Sequence, residues 1–104
     1  MKKIIIMSEY QCFPLWEAKD GGLQNFEAYS LSIPKEVAKR IELWGDLYEN
    51  TYLKEDPGSS GFKSEQKRES FIQSGYEILH ELRSHINEET QIEYRTIDGK
   101  KIQL

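Results

Sequence analysis

The sequence predicts an α+β fold of two layers: a small three-stranded sheet with an antiparallel helical hairpin on one face, in the order strand–helix–helix–strand–strand. Three observations lead there. Ile4-Ile5-Ile6-Met7 is an apolar, largely β-branched run. Two long stretches, between about residues 34 and 53 and between 64 and 86, place apolar residues at steps of three and four. The final stretch alternates apolar and polar residues around Asp98-Gly99.

The N-terminal run is apolar on both of its faces, which suits a central strand covered on each side, or one covered by helices and flanked by the following loop. It imitates the opening of a signal peptide, yet it stops at Ser8-Glu9, short of the roughly 7–15 apolar residues that such a segment needs. Residues 10–32 show no sustained period. They read as a long loop, pinned to the body by Phe13, Leu15 and Trp16. Ser32 is a candidate cap for the first helix, with Pro34 in its first turn, where the missing N–H costs nothing.

Val37, Ile41, Trp44, Tyr48 and Thr51 then share one helical face, with Leu47 broadening it, and the helix runs to about Leu53. Asp56-Pro57-Gly58-Ser59-Ser60-Gly61-Phe62 is the turn between the helices. Ser64 caps the second helix, whose seam is Phe71, Gly75, Ile78, Leu79, Leu82 and Ile86. A glycine inside a helix costs about 1 kcal/mol against alanine, so Gly75 implies the close approach of a neighbour, with Trp44 the natural candidate. Ile92 and Tyr94 alternate with Glu93 and Arg95 ahead of Asp98-Gly99, a two-residue hairpin signal, and Lys100-Lys101 guards an edge strand.

With 104 residues the chain is expected to be a single domain, 1–104. Aromatics make up 12% of it, so large rings supply much of the core or of a binding surface. The net charge of −4 disfavours direct contact with nucleic acid, which needs a basic surface, and suits a basic protein partner. The lone Cys12 precludes an internal disulfide and points to a reducing, cytoplasmic setting. No later segment is apolar enough to span a membrane, so no membrane partner is expected.

Chemical constellations are sparse. Glu77-x-x-His80 puts a carboxylate and an imidazole one turn apart, but a second such pair is missing, so Glu77, His80 and Glu81 read as a solvated helix face. Cys12 lacks any nucleophile signature. The spacing of Asp46, Glu49, Glu55 and Asp56 does not match a calcium loop. Gly58-Ser59-Ser60-Gly61 lacks the Lys-Ser/Thr ending of a phosphate loop. No catalytic residue, metal or cofactor is therefore expected. What remains is an acidic face, Glu42, Asp46 and Glu49, continued by Glu55 and Asp56 beside Tyr52 and Phe62. These seven residues are the expected partner-binding set. Trp44 is read as core. Trp16 and Tyr52 fit a core or an interface equally.

Taken together, Tyr10-Gln11-Cys12-Phe13-Pro14-Leu15-Trp16-Glu17, Leu31-Ser32-Ile33-Pro34 leading to Trp44 and Tyr48, the Asp56–Phe62 turn, and Phe71-x-x-x-Gly75-x-x-x-Leu79 resemble a family of small bacterial immunity proteins, CdiI-like, that accompany contact-dependent growth-inhibition toxins. The resemblance spans about residues 10–82. It implies a cytoplasmic inhibitor that binds the C-terminal domain of a delivered toxin, often a nuclease, frequently a tRNA-cleaving one and commonly basic, and occludes its active site without chemistry of its own. Two other readings stand beside it: an adaptor that extends a partner's sheet with its terminal hairpin edge, and a small enzyme using Glu77 and His80 or Cys12.

Overall fold

A computed structural model describes residues 2–104. The apolar N-terminal run forms β1 (Lys3–Met7), and it lies at the centre of a five-stranded sheet. The other strands are β2 (Leu15–Lys19), β3 (Gly22–Phe26), β4 (Gln91–Arg95) and β5 (Lys101–Gln103), in the spatial order β3-β2-β1-β4-β5. β1 pairs parallel with β4, and the remaining pairs are antiparallel. The α+β class holds, but the sheet has five strands where three were expected.

The two added strands come from residues read as a loop. β2 and β3 form a hairpin closed by Asp20-Gly21, both in the left-handed region (φ 52° and 81°), as the tight hairpin turn requires. Leu15 and Trp16 therefore lie in a strand. It is the buried Pro14 that seats the β1–β2 connection: a Cβ on Gly45 would stand 3.0 Å from its ring.

Alternation along β1 divides the sheet into two faces. Ile4 and Ile6, with Ile92 and Tyr94 of β4, face the helices. Ile5 points the other way, in register with Trp16 and Glu93, and is only 1% exposed although no helix covers that side. There Glu93 sits between Lys3 (3.2 Å) and Arg95. Burial alone would raise the pKa of Glu93, but the hydrogen bonds and charges of Arg95 and Lys3 outweigh it and hold the carboxyl below its ordinary value.

The helices are α1 (Lys35–Glu49) and α2 (Glu65–His85). They lie antiparallel, since Arg40 pairs with Glu81 at one end while Tyr48 meets Phe62 and Phe71 at the other. Pro34 rather than Ser32 occupies the N-cap of α1, accepting from Val37 and Ala38 through its carbonyl, and the helix closes at Glu49 instead of Leu53. Ser64 caps α2 as expected, through Lys67 N–H. The Arg83 guanidinium closes its other end, donating to the carbonyls of Ile86, Asn87 and Thr90.

The core between the layers stacks Trp44 on Phe71, centroids 4.5 Å apart and nearly coplanar, and the indole N–H donates to Phe71 O at 2.9 Å. Gly75 makes room for Tyr94, not for Trp44. Leu47 does not broaden the buried face; it is exposed, as is Leu43. The terminal hairpin forms, but its loop holds three residues, Ile97-Asp98-Gly99, closed by Thr96 N–H on Lys100 O and by left-handed Gly99.

A candidate interface on the acidic wall of α1

Glu42, Asp46 and Glu49 follow each other at steps of four and three along α1, so they share one face of the helix. Their surroundings differ. Asp46 is exposed, whereas Glu42 and Glu49 are half-buried and hold backbone in place. Glu42 Oε2 accepts from Ala28 N–H at 2.8 Å, and Glu49 Oε1 accepts from Gln11 N–H at 2.6 Å. Gln11 adopts a left-handed φ of 64°, which turns its amide toward the carboxylate. The carboxylates thus tie two connections to the helix, the one after β1 and the one after β3.

Opposite them lies the Gln11–Pro14 segment, fixed further by Phe13 N–H donating to Asn25 Oδ1 at 3.0 Å. A cleft of about 220 Å³ separates the two walls, with Cys12, Phe13 and Asn25 on one side and Glu42, Asp46 and Glu49 on the other. Burial, reinforced by Glu27 and Asp46, raises the pKa of Glu42 despite the hydrogen bond from Ala28. Burial, together with Glu9 and Glu49, also pushes the Cys12 thiol up. That shift moves Cys12 away from the thiolate a nucleophile requires.

The remaining members of the expected set fall into two groups. Glu55 and Asp56 are exposed in the turn, where Asp56 Oδ2 accepts from Ser59 Oγ at 2.6 Å and Ser60 Oγ accepts from Leu53 N–H. Tyr52 and Phe62 are half-buried rings. Tyr52 rests on Tyr10, centroids 5.0 Å apart, and Phe62 on Phe71 at 5.0 Å. Tyr10 also stacks on Tyr48 at 4.4 Å and shares a hydrogen bond with Thr51 Oγ1. Burial and the neighbouring Tyr10 push the Tyr48 phenol up to about 12. An aromatic layer thus underlies the acidic rim.

Sequence reasoning assigns no role to Gln11, Asn25 or Gly45. A usable signal existed for Gly45, a glycine inside a helical pattern next to Trp44. Glu77 and His80 lie exposed on α2, and Glu81 is engaged by Arg40. Among the described residues no group of three or more His, Cys, Asp or Glu is placed to hold a metal ion, and no helix is long and apolar enough to cross a membrane.

No curated protein matches the chain. A family described as Serratia CdiI immunity protein-like matches it over residues 2–96, which takes in both helices and β1 to β4. The chain belongs to the Serratia CdiI immunity protein-like family.

Proposed function

We propose that this immunity protein, acting as a single domain in the cytoplasm of the toxin-producing cell, neutralises a basic nuclease toxin by covering its active site. A tRNA-cleaving enzyme is the preferred toxin class. The observation that carries this reading is the cleft walled by Glu42, Asp46 and Glu49. It has room for a lysine or arginine head group, and it concentrates negative charge where the whole chain already carries −4. Outside the cleft, Glu55 and Asp56 add exposed negative charge in the turn, Tyr52 rests on Tyr10 next to Gln11, and Phe62 lines the depression between α1 and α2. A nuclease site is basic because it binds phosphate, so an acidic cover competes directly with the substrate. The inhibitor needs no catalytic group.

The sheet-extension reading gains no support, because the β5 edge is three residues long and bears Lys101. The test is titration of the toxin domain's tRNA cleavage with the purified chain. Cleavage is expected to fall linearly and to stop at equal molar amounts. Undiminished cleavage at a tenfold excess of the chain contradicts the proposal.

A further inference from the structure

A second surface, largely apolar, adjoins the acidic cleft and shares Asp46 with it. Leu43 and Leu47, one turn apart on α1, are 52% and 55% exposed. The core does not need them, because the buried seam of α1 is complete with Val37, Ala38, Ile41 and Trp44. Single exposed leucines are ordinary, but these two border a continuous depression between α1 and α2. Its halves, about 490 and 590 Å³, meet at Leu47, Asn50 and Ser74. Ser70 and Ser74 on α2 are small, which leaves the groove open, and Trp44, Phe71 and Ile78 form its floor.

The two ends of the groove differ in charge. Glu77 stands at one end, where Arg40 is occupied by Glu81, and Asp46 lies mid-groove beside Leu47. Lys63 and Lys67 stand at the other. From Lys67 to Glu77 the groove follows α2 for about 15 Å, roughly three helical turns. A helix carries partial positive charge at its N-terminus and partial negative charge at its C-terminus. The field along the groove therefore complements a helix lying parallel to α1.

Building on the reading that the chain neutralises a cognate toxin, we propose that the α1–α2 groove seats an amphipathic helix of that toxin domain. The helix would present apolar side chains at i, i+3 and i+4 to Leu43 and Leu47, with its N-terminus at Glu77. The acidic cleft then sets the speed of encounter, and the groove sets the lifetime of the complex.

The test compares the wild-type chain with Leu43→Gln/Leu47→Gln, which keeps the charge and the helix propensity unchanged. Binding to the toxin domain is expected to weaken about 100-fold through faster dissociation, with the association rate unchanged. Affinity equal to wild type overturns the groove proposal and leaves the toxin-binding reading intact; no wild-type binding at all removes that reading instead. As a check that does not depend on a variant folding, the Leu43 and Leu47 methyl resonances of the wild-type chain should shift on addition of the toxin domain. Unmoved methyls in a formed complex overturn the proposal. If the free chain dimerises and the double substitution abolishes only the dimer, the groove belongs to a second copy and the proposal fails. Lys63→Glu/Lys67→Glu is expected to weaken binding several-fold, and tighter binding would overturn the assigned helix direction.

Discussion

The phenol of Tyr94 occupies the space above Gly75: a Cβ on that glycine would stand 2.1 Å from the hydroxyl oxygen and 2.2 Å from the ring carbon that bears it. The hydroxyl donates to Ile72 O at 3.0 Å, so one side chain of β4 both fills the gap in α2 and ties the helix to the sheet. Burial raises the Tyr94 phenol far above its ordinary value, so it stays a neutral donor.

Gly75→Ala should therefore destabilise the chain by about 1–3 kcal/mol, because overpacking outweighs the gain of about 1 kcal/mol in helix propensity. Tyr94→Phe alone should cost about 1 kcal/mol for the lost hydrogen bond. Combining the two should not rescue Gly75→Ala, since ring carbons also stand at 2.2 and 2.8 Å from the added Cβ. Urea denaturation of the three variants measures all of this.

Glu93 makes stability depend on acid. Its folded-state pKa is lowered, so the native chain binds this proton less tightly than the unfolded chain does. The stabilisation from Lys3 and Arg95 is fully present above the ordinary value of 4.5 and is lost as pH falls through the lowered one. Glu93→Gln should thus lose less stability than wild type between about pH 6 and pH 3, the gap closing by on the order of 1 kcal/mol. Thermal melts across that range provide the measurement; parallel curves would mean that Glu93 is not the group responsible.

Glu42 works in the opposite sense. Its raised pKa means that the folded chain holds this proton more tightly, so the burial penalty is present above the raised value and is relieved as pH falls through it. Glu42→Gln keeps an acceptor for Ala28 N–H and removes the charge, so it should be no less stable than wild type at neutral pH. Glu42→Ala leaves that amide without its partner and should cost about 1–2 kcal/mol. Equal losses for the two variants would show that the charge, not the hydrogen bond, is what matters at this position.

The helices and the central strand were legible in the sequence because burial there follows one period over many residues. The seam from Phe71 to Leu82 is buried as its stepping demands, and Ser64 caps its helix as a serine should. The β2–β3 hairpin was missed for a physical reason. β3 is an edge strand that buries little, with Leu23 and Phe26 as its apolar members, so it lacks the alternation a half-buried strand displays. Asp20-Gly21 carries the same kind of turn signal as Asp98-Gly99, but its flanks lack the regular alternation that marks a hairpin.

The candidate interface was legible only in part. Helical spacing placed Glu42, Asp46 and Glu49 on one face, but nothing local says that Glu42 reaches Ala28 or that Glu49 reaches Gln11, which are 14 and 38 residues away. Leu47 adjoins the seam, so its spacing alone points it inward. In the structure Trp44 and Tyr48 fill the contact with α2, and Leu47 is left at the groove's edge.

The measurement that bears most directly on the account is the association rate of the chain with its cognate toxin domain as a function of salt, for wild type and for Asp46→Lys. Asp46 is exposed at the acidic wall, so the substitution should spare the fold. The account predicts a complex at micromolar concentration or below, association that slows as salt rises, and a roughly tenfold slower rate for Asp46→Lys at low salt. Absence of a complex at micromolar concentration would contradict it, as would association that ignores both salt and the reversed charge.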